Sequence, residues 1–276
     1  MKTKKAISKF LIHSIILLWI MIALVPVFWA LSTALKTQEH VMDYPPQLIP
    51  RPVTFENFRS VIVDIPIVRY LKNSLIVALG SVAVSLSISA FTAYGFARFN
   101  FPGKEVLFFL MMLSMMLPGL TNLIVLYIAA SKLKLLDTYT ILVIIYAGYN
   151  IPFSTWLLRG FVESLPTELD DAGMIDGCTR WGVFIHVILP LMVPGLSAAG
   201  VIAFIVSWNE FIVATTFTNT DAMRTLQVGL RFFQGAYYID WGRLMAASII
   251  ATIPALLFFF ILQRGLIAGL TKGAVK

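Results

Sequence analysis

Residues 164–194 read S-L-P-T-E-L-D-D-A-G-M-I-D-G-C-T-R-W-G-V-F-I-H-V-I-L-P-L-M-V-P. This is the longest hydrophilic interruption in the second half of a very apolar chain. It holds four acids within nine residues: Glu168, Asp170, Asp171 and Asp176. Helix punctuation brackets it. Thr167 is a good N-cap, and Asp170 stands at the capping-box position. Glu168, Asp170 and Asp171 occupy the first turn, where carboxylates suit the helix dipole. Leu165, Leu169, Ala172 and Ile175 recur at helical spacing, and Gly177 can take a positive φ and end the helix. A second amphipathic piece carries Trp181, Phe184, Ile185 and Ile188 at i, i+3, i+4 and i+7, with Pro190 as its stop. Two readings fit: a solvated loop with two surface helices, or a docking element. The second gains weight from the small pair Ala172 and Gly173, a face that another protein could approach closely.

What surrounds this stretch is built for lipid. The 276 residues are 59% hydrophobic and 13% charged, with a mean hydropathy of +0.86. Soluble domains carry about 25% charged residues, and a soluble chain this apolar would expose large sticky patches. A polytopic, all-α integral membrane protein is expected. The net charge of +7 fits Lys and Arg at membrane flanks. These residues are scattered without interleaved aromatics, which argues against a nucleic acid partner. Cys178 is the single cysteine, and His13, His40 and His186 lie far apart, so neither a disulfide framework nor a metal site is expected. No Ser/His/Asp, His-rich or paired-carboxylate cluster offers catalytic residues.

Six apolar segments are predicted as spans, at residues 10–35, 70–96, 106–130, 138–161, 191–217 and 244–267. The first follows four lysines in residues 1–9 and is too long for a cleaved leader, so the N-terminus is expected in the cytoplasm. Residues 36–69 form an outer loop with Pro45, Pro46, Pro50, Pro52 and Pro66. The second span is rich in small residues and suits close helix packing. The third is interrupted at Pro118-Gly119, and the fourth carries Gly148 and Pro152; hinges are expected at both. Residues 218–243 form an outer loop or amphipathic segment, and residues 269–276 a basic cytoplasmic tail. Parity of six spans puts the loop at 162–190 in the cytoplasm, between helices four and five. Lys and Arg divide almost evenly between the two sides, so the first helix and the tail carry this orientation.

Polar residues inside spans are candidates for a solute path. Glu210 is the one acid well within a span, where a charge costs about 2.5–3.5 kcal/mol on insertion scales. It either lines the path or makes a structural hydrogen bond to a neighbouring helix. Asn122, Tyr127, Tyr146, Tyr149, Asn150, Trp208 and Asn209 are the other candidates, since aromatic faces and amides suit sugars. Packing or interfacial anchoring is the competing role for each. The chain has no phosphate-binding loop of its own, because Gly103-Lys104 is followed by Glu105 instead of Ser or Thr.

The run Asp171-Ala172-Gly173-x3-Gly177-x9-Val187-x-Leu189-Pro190 resembles the EAA motif of ABC importer permeases, E-A-A-x3-G-x9-I-x-L-P. Asp171, Gly173 and Val187 depart from it. Further stretches resemble the carbohydrate-uptake branch, in particular the shorter of its two maltose-type permeases. They are Pro50-x3-Thr54-x2-Asn57, Asn73-Ser74-Leu75-Ile76-Val77, Ala93-Tyr94-x2-Ala97-Arg98, Phe101-Pro102-Gly103-Lys104, Ile175-Asp176-Gly177, Trp208-Asn209-Glu210-Phe211 and the final residues 269–276. Nearly the whole chain is covered. The resemblance implies a multi-pass subunit of a bacterial cytoplasmic membrane that imports a sugar or oligosaccharide by alternating access. It implies a second homologous permease, an ATPase dimer that binds ATP and Mg, and an extracellular solute-binding protein as partners, with no cofactor in this chain. Glu168, Asp170, Asp171, Ala172, Gly173, Ile175, Asp176 and Gly177 would form the coupling helix that docks on the ATPase. A glycerol-phosphate or other polar-solute permease is the alternative within the family. An autonomous secondary transporter would need embedded ionisable groups, and only Glu210 qualifies.

Overall fold

The structure is a computed structural model that describes residues 2–116, 119–235 and 237–274, without the side chains of residues 2–8, 119–120 and 264–274. Among the described residues it is all-helical, with one isolated antiparallel bridge, Gln234 to Ile239. Two compact units divide the chain, one formed by Met1–Val68 and Leu230–Ile253, the other by Arg69–Gly229 and Pro254–Lys276.

The first unit starts with α1 (Lys2–Ala34). Its spanning part, Lys9–Ala34, is apolar and, up to the buried Ser32, Thr33 and Ala34 at its end, is left uncovered by its own chain; at 1.5 Å per residue it reaches about 39 Å, enough for a ~30 Å hydrocarbon layer. The open carbonyls at its end find a partner in α2 (Glu56–Val63). The buried Asn57 Nδ2 donates to Ala34 O at 2.9 Å and Lys36 O at 2.7 Å, satisfying groups that a helix C-terminus leaves orphaned. The Lys36 ammonium lies 5.1 Å from the Trp29 ring centroid.

The second unit opens with α3 (Ile67–Arg98). Ser81, Ser85 and Ser89, four residues apart on one face, are fully buried. Ser85 donates back to Val82 O; Ser81 donates to Ala78 O and its Oγ lies in hydrogen-bond contact with Ser207 Oγ at 2.9 Å, and Ser89 donates to Ile151 O at 3.2 Å. Small residues let neighbouring backbones approach in this way. Then come α4 (Lys104–Ser114), a 3-10 turn (Gly119–Asn122) and α5 (Leu123–Lys132). The long α6 (Tyr139–Glu163) packs beside α10 (below). After it lie α7 (Glu168–Ile175), α8 (Arg180–Val183), a π turn (Phe184–Ile188) and α9 (Leu189–Leu191). The unit continues with α10 (Val193–Asn209), α11 (Ile212–Phe217) and α12 (Leu226–Leu230). The last helix, α13 (Trp241–Ala274), contributes its first part to one unit and its second part to the other.

Three expectations change. Among the described residues, four helices are long and apolar enough to span, Lys9–Ala34, Ile67–Arg98, Tyr139–Glu163 and Trp241–Gln263, or five if the pair Arg180–Leu191 and Val193–Trp208, bent by 71°, counts as one. The expected third span is two short helices, about 17 and 15 Å long, with the 3-10 turn between them. Leu117 and Pro118 of its expected break lie outside the described residues. Second, α6 runs unbroken through Gly148 and Pro152. More than half of its apolar window is buried, and packing outweighs the missing proline donor. Third, Pro190 does not stop the second amphipathic helix, which continues to Leu191 and turns at the buried Met192. The π turn before Pro190 widens the ladder, and Pro190 and Pro194 both lack the N–H needed to carry the helix straight.

Candidate functional site

The acidic helix is held on two sides and open on the others. Its end follows the expectation. Gly177 sits at φ +87°, with Gly177 N donating to Met174 O at 3.1 Å and Cys178 N to Gly173 O at 3.0 Å. These two bonds form a Schellman end, in which a left-handed glycine closes the last turn. Its start differs. Thr167 has helical dihedrals and makes no side-chain cap. Asp170 does not fold back to a capping box: its Oδ1 accepts from Tyr94 Oη and its Oδ2 from Arg98 Nε, both at 2.8 Å. Arg98 Nη2 also donates to Leu165 O at 3.0 Å. The arginine and aspartate side chains are only 9% and 15% exposed.

The face of α7 is also redistributed. Leu165 and Leu169 pack with Leu158, Val162, Val183, Phe184 and Ile188. Gly173 is buried, and a Cβ there would lie 3.0 Å from Val183 Cγ2. The expected Ala172–Gly173 docking face is therefore divided: Gly173 packs inward so that α7 can lie close to α8, while Ala172 stays out. Glu168, Asp171, Ala172, Asp176 and Gly177 are exposed, and Ile175 is 85% exposed. An acidic rim around a bare isoleucine is a surface with both a charge and an apolar contact to offer. In the second piece, Phe184 and Ile188 are buried, whereas Trp181 is exposed and stacks on Phe91 at 5.1 Å.

The in-span polar residues separate into three groups. Asn150 is buried, and its Nδ2 donates to Ser207 Oγ at 3.0 Å, extending the serine contacts between α3 and α10. Trp208 is buried and stacks on Phe204. Glu210 stands at a break, with extended backbone between α10 and α11. Its Oε1 accepts from Val213 N at 2.8 Å, and its Oε2 from Ala214 N at 3.0 Å and from Tyr146 Oη at 2.7 Å. The carboxylate thus caps α11 and ties it to α6. Asn122 and Tyr149 instead line a cavity of about 520 Å³ with Met115, Gly148 and Pro152. Tyr127 packs edge-on to Phe217, and the exposed Asn209 donates to Ile205 O in its own helix.

The family profile of the "Binding-protein-dependent transport system inner membrane component" matches residues 66–272. The chain belongs to that family. It is therefore a permease component of an ABC importer, a multi-pass protein of the inner membrane. The permease is 36% identical to the sulfoquinovosyl glycerol transport system permease protein SmoH of Agrobacterium fabrum, over 92% of this chain and 89% of the relative. It is 36% identical to the diacetylchitobiose uptake system permease protein DasC of Streptomyces coelicolor, over 91% of each. It is 34% identical to the trehalose/maltose transport system permease protein MalG of Thermococcus litoralis, over 94% of each. Its fold is similar to that of a chain in the crystal structure of a bacterial ABC transporter involved in the import of the acidic polysaccharide alginate. That likeness has a TM-score of 0.78 and 20% identity, over 94% of this chain and 96% of the other.

Two residues of the permease that belong with the acidic loop, Tyr94 and Arg98, are absent from the expected site set. Both stand in the stretch Ala93-Tyr94-x2-Ala97-Arg98, at the end of a span and more than seventy positions before Asp170. An arginine at a helix end, one turn after a tyrosine, was the available signal. Nothing in the sequence named its partner.

Proposed function

We propose that this permease carries a sugar or oligosaccharide inward across the bacterial cytoplasmic membrane, driven by ATP hydrolysis on partner subunits. The observation that carries the reading is that relatives of at least 34% identity over more than nine-tenths of the chain are named as permeases for sulfoquinovosyl glycerol, diacetylchitobiose and trehalose/maltose. The exposed surface of Glu168, Asp171, Ala172, Ile175 and Asp176 is the docking face for an ATPase subunit, and a second permease completes the membrane core. A solute-binding protein delivers the sugar from outside. Six crossings, with both termini in the cytoplasm, are made by α1, α3, the broken α4–α5 pair, α6, the α10–α11 pair and α13. The cavity at Asn122, Tyr149 and Gly148 supports a solute path on the α5–α6 side, open enough for a sugar ring.

The test is purification of the tagged chain from its host, followed by uptake of labelled oligosaccharides. ATP-binding subunits and a second permease are expected to copurify, and uptake to stop when the ATPase is deleted. Uptake that survives that deletion would refute the reading in favour of a secondary transporter.

A further inference from the structure

We propose that Arg98 and Tyr94 are positioning residues for energy coupling: with Asp170 they clamp α7 to the end of α3, so that a displacement of α7 is transmitted to that span. Given the importer role proposed above, α7 is where force arrives, and something must carry it into the membrane. Three features single out this contact. Both oxygens of Asp170 are used, one by each partner, which fixes direction as well as distance. Arg98 holds two parts of the loop at once, the Asp170 carboxylate in the first turn and the Leu165 carbonyl just before it. The pair is mostly withdrawn from water, so it is screened far less than a surface ion pair.

The local sequence had another use for Asp170. A Thr-x-x-Asp start can be capped from within, yet Thr167 caps nothing and Asp170 reaches across 72 positions to α3. The tyrosine extends the grip. Its ring contacts Phe184 at 5.0 Å and Phe99 at 5.8 Å, so the hydroxyl that binds Asp170 is carried on a ring wedged against the π turn. On its other side α7 meets Val183 through the bare Cα of Gly173. The helix is thus pinned to α3 by charge and to α8 by close packing, and its outer face is left for a partner. Further along α3, Ser81 bonds to Ser207 of α10 and Ser89 to Ile151 of α6, so a pull at Arg98 reaches the helices that carry Asn150 and Glu210.

The experiment uses the complete transporter in lipid vesicles and reads solute imported per ATP hydrolysed, with copurification of the ATPase subunits as the assembly control. Arg98→Gln and Asp170→Asn should each lower that ratio about tenfold, the equilibrium equivalent of one hydrogen bond to a charged group, while the ATPase subunits stay bound. The double variant should be no worse than either single one, because the residues act as a unit. A ratio that stays at the wild-type value, with uptake and ATP hydrolysis falling together, would mean a purely structural contact and would overturn the proposal. Should the charge variants not assemble, Tyr94→Phe decides. It keeps the ring packing and removes one bond, and it must still lower the ratio; a wild-type ratio there overturns the clamp. A wild-type chain that never copurifies with an ATPase would sink the importer reading itself, and the clamp with it, whereas an unchanged ratio in an intact complex sinks the clamp alone.

Discussion

Gly177 and Glu210 show how differently two sequence signals can resolve. The glycine was legible: a small residue after an acidic, apolar-periodic run marks a helix end, and φ +87° is the conformation that end requires. Beyond its two chain neighbours, no heavy atom lies within 4 Å of where its Cβ would sit, so a substitution there acts through backbone strain and not through crowding. Gly177→Val should cost about 1–2 kcal/mol locally and lower uptake with the complex intact, while Gly177→Asn, which tolerates the left-handed region, should be nearly silent. Uptake assays on the two variants side by side check this; equal activity would show that the turn does not matter for transport. The glutamate was legible only as a question. An acid inside a span can serve solute or structure, and the choice depends on neighbours that lie sixty-four positions away or in a helix that starts only after a break. With three donors on its carboxylate, Glu210 is a cap. Glu210→Ala should destabilise the chain by about 2 kcal/mol or more, from lost capping and orphaned donors, and Glu210→Gln by less. Thermal melts in detergent should show this order with little change in the half-saturating solute concentration. A large shift in that concentration with unchanged melting would return Glu210 to the solute path.

At the level of elements, the turn between α5 and α6 is tied to the chain that follows α11. Asp137 has φ +60° and its carboxylate accepts from Asn219 N, Thr220 N and Thr220 Oγ1 at 2.6–3.0 Å. Its own N–H donates to Phe217 O. Partial burial raises the Asp137 carboxyl pKa, but the Thr220 hydroxyl and the Thr220 and Asn219 amides outweigh it and hold the value below that of an ordinary aspartate. A depressed folded-state pKa contributes stability that is fully present above the unfolded value and is lost as pH falls through the folded one. The tie should therefore weaken only in acid, below the ordinary aspartate range. Asp137→Asn keeps a residue that accepts φ > 0 and removes the charge, so it should flatten this acid limb of a melting-versus-pH profile. An unaltered limb would assign the acid sensitivity to other carboxylates. The bend after α9 taught a related lesson. Pro190 was read as a stop, yet the helix absorbed it with a π turn and ended at Leu191, one residue later, because Phe184, Ile188 and Met192 are buried in one cluster and hold that segment helical. Proline states where a donor is missing; burial decides what the chain does about it.

For the molecule as a whole, composition and apolar run length were sufficient for an all-helical membrane protein, and motif spacing was sufficient for the family. Helix continuity was legible only in part. Residues 106–130 were expected to be interrupted and do form two short helices about a 3-10 turn at Gly119–Asn122, whereas the break expected at Gly148 and Pro152 is absent from α6, since a glycine or proline states where a helix is weakened and not whether packing holds it. Nor was the tie between Asp170 and Arg98 legible, because local capping chemistry explained Asp170 equally well. One feature of the acidic loop has an experimental use. The chain's single thiol, Cys178, is the residue immediately after Gly177, half-buried at the edge of the Schellman turn. This chain thus carries one built-in attachment point immediately after the Schellman turn of α7, without any cysteine being removed from it. A membrane-impermeant maleimide should label it in inside-out vesicles and not in intact cells. A fluorophore placed there should change its emission when nucleotide is added to the assembled transporter, so that the movement of one short helix could be timed in the unmutated chain.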